Sequence, residues 1–273
     1  MNAITKYITS EIKLSTYNEK LSKTEVLFEE HILVWLISGV TKIIHANSTY
    51  TFEPGDVFLI PRNQLISVVL MPLNGVPHKS VAMHLTTPRL KDFYYGLKVM
   101  GDIKSIEKIP CFQDHPLLSS YLASLLPYFE MEGKFPNEIA SLKISEAISI
   151  LRVIDNSIDA YLANFEQPGK IDLSKFMEKN YMFNVPMEKF GYLTGRSLTT
   201  FKRDFQKIFK STPQKWLTQK RLELAHYQLA EESKTPIEVY YEVGFENLSH
   251  FSYVFKKQFG YSPSSLVGHK SRN

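Results

Sequence analysis

A lone cysteine, Cys111, denies this 273-residue chain an internal disulfide and any zinc site built on several thiolates. Packing and hydrogen bonds must hold the fold, and the thiol state fits a reducing compartment. Long apolar runs are missing as well. The longest, Ile32 to Ile37, falls far short of the roughly 20 residues that cross a bilayer. The first residues carry no basic-then-apolar leader. A soluble, cytoplasmic protein with no membrane partner is the expectation. Also lacking are a glycine-rich phosphate loop, a nucleophile elbow, a paired-carboxylate motif and any His-x-His pair. His31, His45, His78 and His84 are scattered, and each reads as an ordinary strand or loop histidine rather than a metal ligand. No catalytic residue, metal or cofactor is expected.

Net charge is only +4, but it is unevenly placed. From Lys170 onward there are 17 Lys+Arg against 10 Asp+Glu, hence +7, whereas the residues before it sum to −3. A basic C-terminal third favours a polyanionic partner for that part alone.

That same third contains a repeat. Phe201, Phe205, Phe209 and Pro213 recur 50 positions later as Phe251, Phe255, Phe259 and Pro263. Ser197 falls on Asn247, and both are good helix N-caps. Phenylalanines four apart, with Ile208 in one copy and Val254 in the other, predict an apolar stripe on one helix face. The opposite face carries Thr199, Lys202, Arg203, Gln206 and Lys207, or Ser249, Ser252, Tyr253, Lys256 and Lys257. A helix about 10–12 Å across fits a DNA major groove about 12 Å wide.

Each repeat is preceded by a short helix and a tight turn. Leu173–Tyr181 and Pro186–Leu193 read as helices, and Gly195-Arg196 as the turn before Ser197. Pro213 opens a long helix through Trp216, Leu217, Arg221, Leu222, Ala225 and Leu229. Pro236–Val243 is the next helix, and Gly244-Phe245 turns the chain into Asn247. These are two helix-turn-helix units on one strut.

Residues 24 to 86 read as β. Val26–Phe28, Ile32–Ile37, Thr41–His45, Thr49–Phe52, Val57–Ile60, Leu65–Leu70 and Ser80–Leu85 are short runs separated by turn signals, Ala46-Asn47 among them. Many short strands in series predict a small barrel or sandwich, with room for one small ligand. From about residue 89 the pattern turns helical. One stripe runs from Leu117 to Phe129 after Pro116, and another from Ile139 through Leu142 to Ile154. Their apolar content exceeds what covering a small barrel needs, so a homodimer face and a lid are both open. Gln167-Pro168-Gly169-Lys170 reads as a linker, which sets domains of 1–165 and 166–273.

Two resemblances follow. The segment Tyr50 to Pro61 resembles the central hairpin of cupin domains, with Gly55 supplying the turn and Asp56 holding it. The run Leu173–Leu266 resembles the DNA-binding domain of AraC/XylS-type transcription regulators. It does so through Leu217-Thr218-Gln219-Lys220-Arg221-Leu222-Glu223-Leu224-Ala225 and the long segment from Val243 to Pro263. Leu198-Thr199-Thr200-Phe201-Lys202 and Pro213-Gln214-Lys215-Trp216 also resemble the branch containing type III secretion activators. The fold class expected is α+β in two domains. A cupin-like β-barrel with a helical appendage precedes an all-α double helix-turn-helix.

The resemblance implies base-reading places at Thr199, Lys202 and Arg203 in the first helix, and at Leu248, Ser249, Ser252 and Tyr253 in the second. DNA backbone contacts are expected at Ser197, Thr200, Lys207, Asn247, His250, Lys256 and Lys257. It further implies promoter DNA and RNA polymerase as partners, and activation of transcription. The N-terminal domain is expected to sense a small molecule or a partner protein. Lys210 stands where the family usually has glycine, and bulky Tyr240 where it has a small residue. The alternative is a metal-dependent cupin enzyme with a DNA-binding tail, which would need His45 and His84 to converge.

Overall fold

The computed structural model describes residues 3–18, 22–45, 48–99, 108–113, 115–131, 135–232 and 234–267. The chain divides into two compact units, Met1–Gln167 and Pro168–Asn273. The expected turn at Ala46-Asn47 lies outside the described residues.

Among its described residues the first unit holds ten strands: β1 Ala3–Thr9, β2 Ile12–Tyr17, β3 Ser22–Phe28, β4 His31–Ser38, β5 Val40–His45, β6 Ser48–Phe52, β7 Val57–Ile60, β8 Gln64–Met71, β9 His78–Leu85 and β10 Cys111–Phe112. They form two sheets, ordered β1-β2-β9-β4-β7-β10 and β3-β8-β5-β6, with antiparallel pairing throughout. No ladder among the described residues joins one sheet to the other to close a barrel. The Tyr50–Pro61 segment is a corner, not a hydrogen-bonded hairpin, because β6 and β7 belong to different sheets. Gly55 turns it at φ +100°, and Asp56 Oδ2 accepts the Glu53 N–H at 2.8 Å.

Side-chain alternation along β4 explains the apolar run Ile32–Ile37. Ile32, Val34 and Leu36 meet residues of the second sheet, such as Ile43, Phe52 and Ile66. Leu33, with Trp35 and Ile37, faces the other way, into a core built with helices. A strand covered on both faces needs apolar residues at every position. The covering helices are α1 Thr87–Tyr94, α2 Pro116–Glu130, α3 Asn137–Ile154 and α4 Asp159–Leu162. Leu118, Tyr121, Leu122, Leu125, Ile144, Ile148 and Leu151 bury against Ile8, Ile12, Leu14, Leu59 and Met83. The apolar excess of these helices is thus largely absorbed by the outer face of the six-stranded sheet. Two residues of the expected stripes do not join it: Leu117 and Leu142 are exposed, Leu142 at 70%. The region after residue 89 is also not wholly helical, since β10 pairs with β7.

A polar tie fastens the helical layer. Asp159, buried at the start of α4, accepts from Tyr94 Oη at 2.7 Å and from Arg152 Nε at 2.8 Å. Burial and that carboxylate push the Tyr94 hydroxyl well above its ordinary pKa. Arg62 pins the end of the unit by donating to the Asn164 and Glu166 carbonyls.

Every regular element among the described residues of the second unit is a helix: α5 Leu173–Asn180, α6 Met187–Leu193, α7 Leu198–Phe209, α8 Pro213–Ala230, α9 Pro236–Glu242, α10 Leu248–Phe259 and α11 Pro263–Val267. Starts at Pro213, Pro236 and Pro263 use a residue whose missing N–H costs nothing in a first turn. α6 packs on α7, and α9 packs on α10 and α8.

Candidate nucleic-acid interface

The two repeated helices are built alike. Ser197 Oγ accepts the Thr200 N–H at 3.3 Å to open α7. Asn247 Oδ1 accepts the Ser249 and His250 N–H groups, at 2.8 and 3.0 Å, to open α10. Phe201 and Phe205 are fully buried with ring centroids 5.7 Å apart, and Phe251 and Phe255 repeat this at 5.6 Å. The third rings follow at 4.3 Å for Phe209 and 4.6 Å for Phe259. Trp216 closes the first cluster from α8, 5.6 Å from Phe205. Val239, Val243 and Leu222 close the second.

Both helices end in a left-handed residue, Lys210 at φ +52° and Gly260 at φ +86°. Their N–H groups return to the Gln206 and Lys256 carbonyls. The glycine missing at Lys210 therefore changes the strain at the cap and not its geometry. Tyr240 is accommodated half-buried against the second cluster.

Burying one face turns the other outward. Thr199, Lys202, Arg203, Gln206 and Lys207 are exposed on α7, the Arg203 side chain at 64%. Positions 199, 202, 203 and 206 follow the three-and-four spacing of a single helix face. On α10, Ser249, His250, Tyr253, Lys256 and Lys257 are exposed, Tyr253 at 66%. Ser197 and Asn247 stand exposed at the caps, while Thr200 and Ser252 are half-buried. Leu248 is half-buried and packs against the Phe251–Phe255 cluster, so its apolar side chain is partly used in the core. Ile208 departs from the expected stripe and is exposed. A row of residues four apart precesses by about 40° per step, so the core direction at the end of α7 follows Phe209. Val254 stays half-buried against its cluster.

One feature of the site was not visible in the repeat. Asp204 sits beside Arg203, 3.5 Å from its Nη2, and also accepts from Arg196 Nε at 3.1 Å. The hydrogen bond from Arg196 holds the Asp204 carboxyl below its ordinary value. Arg196 Nη1 further donates to the Thr194 and Ile171 carbonyls, tying the turn to the segment before α5. An acid next to Arg203, four residues before Ile208, was the available signal.

His31, buried, accepts the Arg62 N–H through Nδ1 at 3.2 Å, and burial with the nearby Arg62 charge pushes its pKa down to about 3. His78 pairs with Thr41 Oγ1 at 2.8 Å, and burial lowers it to about 4. His84 lies 3.5 Å from Glu30 in the six-stranded sheet, while His45 ends β5 in the other. Among the described residues no three metal-capable side chains cluster. A cavity of about 150 Å³ lies between the sheets, lined by apolar residues such as Phe28, Val34 and Ile60 with Lys13, Tyr17 and His84. Among the described residues no helix is long and apolar enough to cross a membrane.

Comparison with known proteins bears on both units. A model of the ExsA N-terminal regulatory domain matches residues 31–168, and a helix-turn-helix domain model matches residues 193–268. The virulence regulon transcriptional activator VirF of Yersinia enterocolitica is 29% identical over 237 residues, covering 84% of this chain and 86% of that protein. The HTH-type transcriptional regulator ExsA of Pseudomonas aeruginosa is 24% identical over 243 residues, covering 86% and 85%. Among solved structures, ToxT from Vibrio cholerae aligns over 94% of this chain and 98% of its own, at 15% identity and a TM-score of 0.41.

Proposed function

This chain belongs to the AraC-type transcription regulators whose N-terminal half is an ExsA N-terminal regulatory domain, and from that premise we propose how its residues divide the work. The C-terminal domain, residues 166–273, places α7 and α10 in successive major-groove faces of one promoter duplex. Thr199, Lys202 and Arg203 read bases from α7, and Ser249, Ser252 and Tyr253 read them from α10, with Leu248 at the margin. Ser197, Thr200, Lys207, Asn247, His250, Lys256 and Lys257 hold the phosphates and fix register. Arg203 supplies a planar fork for a guanine edge, a contact worth about 1–3 kcal/mol of discrimination. The carrying observation is the duplicated phenylalanine-backed helix, with ring spacings that agree between copies and polar faces left to solvent.

The outcome of binding is activation of transcription, as the name of the relative VirF, a virulence regulon transcriptional activator, supports, and RNA polymerase is the partner it recruits. Residues 1–165 act as a cupin-like regulatory domain that responds to a small molecule or a partner protein. The cavity between its sheets supports the first kind of effector. Exposed Leu142 and Val153 on one side of α3, each at 70%, support self-association through that helix.

Anisotropy titration of labelled promoter DNA tests the division. Arg203→Ala is expected to weaken binding about tenfold and to relax preference at one base pair. Lys256→Ala is expected to weaken all sequences alike and to lower the salt dependence by about one counterion. An Arg203→Ala protein with unchanged affinity and unchanged base preference sinks the assignment of α7.

A further inference from the structure

A single arginine lies where the two helix-turn-helix units meet. Arg221 stands midway along α8. Its Nε donates to the Tyr181 carbonyl at 3.0 Å and its Nη2 to the Phe183 carbonyl at 2.8 Å. Its Nη1 donates to the Gly244 carbonyl at 3.0 Å and reaches Asn184 Oδ1 at 3.4 Å. Tyr181 caps the C-terminus of α5, and Gly244 follows Val243, the C-cap of α9. The last carbonyls of a helix have no partner within it, and a cation there is favoured. One guanidinium therefore closes the end of α5 and holds it to the turn that follows α9.

The surroundings are tight and polar. Gly244 has φ +89°, and a Cβ there would stand 2.7 Å from the Met182 carbonyl oxygen and 3.0 Å from Arg221 Nε. Beside it, Asn184 Nδ2 donates to Glu246 Oε1 at 2.8 Å. α5 packs on α7, and α9 packs on α10, so this clamp joins the supports of both repeated helices. A planar fork with five donors can serve carbonyls in several directions, whereas an ammonium is a point charge with three.

We infer that Arg221 is a positioning residue that fixes the angle and spacing between α7 and α10, and so makes the protein selective for the distance between two half-sites. This rests on the two-helix reading proposed above. Two modules on a rigid joint gain from each other only where the geometry lets both engage at once. Loosening the joint lowers the gain on a well-spaced site and lowers the penalty on a badly spaced one. A purely structural role would weaken both sites by the same factor.

The test uses the full chain and the consensus duplex that it recovers from a randomised pool. A second duplex carries one base pair inserted between the half-sites, which rotates them by roughly 35°. The unaltered protein is expected to bind the inserted duplex at least ~10-fold more weakly. Arg221→Lys is expected to bind the original duplex about 10-fold more weakly, with the ratio between the duplexes falling towards one. Glu246→Ala, which removes only an exposed contact, should lie between the two. Equal weakening on both duplexes, or unchanged binding to both, overturns the inference. If Arg221→Lys does not fold, Glu246→Ala and Asn184→Ala decide it, and an undiminished spacing penalty in both overturns it. An unaltered protein indifferent to the insertion brings down the two-helix reading, and this inference with it.

Discussion

Lys210→Gly and Gly260→Ala change the same backbone position in the two copies and should shift stability in opposite directions. Both residues hold a left-handed conformation, at φ +52° and +86°. For an L side chain that conformation costs about 1–2 kcal/mol relative to the right-handed one. Glycine escapes this cost but adds about 0.5–1 kcal/mol of chain entropy to the unfolded state. Lys210 also places a positive charge at the end of α7, worth a few tenths of a kcal/mol when exposed. The balance for Lys210→Gly is stabilisation of about 0.5 kcal/mol. For Gly260→Ala it is a loss of about 1 kcal/mol, because nothing stands within 4 Å to clash with the new Cβ and only the backbone is strained. Calorimetry of the full chain would read these as shifts of roughly 2–6 °C in the transition of the helical unit. Lys210→Ala separates the two contributions, since it removes the charge and keeps the strain, and it should not stabilise. A Lys210→Gly protein that melts earlier, or a Gly260→Ala protein that melts later, refutes the reasoning.

The N-terminal unit should lose stability in acid. His31 and His78 are held neutral by burial, with folded values of about 3 and about 4 against 6.5 for the unfolded chain. The unfolded state therefore takes up protons first as pH falls below about 6.5. Each histidine then costs up to about 1.4 kcal/mol per pH unit, until pH reaches its folded value. His78→Gln should flatten the fall in the Tm of this unit between about pH 7 and 5, and a slope equal to that of the parent protein would contradict this origin. The tie at Asp159 gives a second expectation. Asp159→Ala should cost about 3 kcal/mol, because it strands Arg152 and Tyr94, whereas Tyr94→Phe should cost only about 1 kcal/mol. Equal denaturation midpoints for the two variants would show that the carboxylate is not the centre of that network.

What could be read from the chain alone was whatever repeats or is local. The helix-turn-helix pair was legible because its caps, its phenylalanine spacing and its prolines are determined within a few residues of one another, and because they occur twice. Strands β3 to β9 were legible from β-branched runs between turn residues. The outward position of Thr199, Lys202 and Arg203 followed from the periodicity that buries Phe201 and Phe205.

Tertiary structure decided the rest, for stated reasons. Strands β1 and β2 escaped the pattern because Ile4 and Tyr7 are exposed on an edge strand, while Lys13, Ser15 and Tyr17 line the cavity between the sheets. The destination of the apolar helices was invisible, since a stripe names no partner. Only the fold shows that Leu118 and Ile148 cover the outer face of a sheet whose inner face is already occupied. Sequence placed Arg221 on the strut among apolar neighbours, but three of its partners are the backbone carbonyls of Tyr181, Phe183 and Gly244, which no side-chain alphabet records. Periodicity fixes which way a residue faces on its own helix, and only the arrangement of distant segments fixes what it meets there.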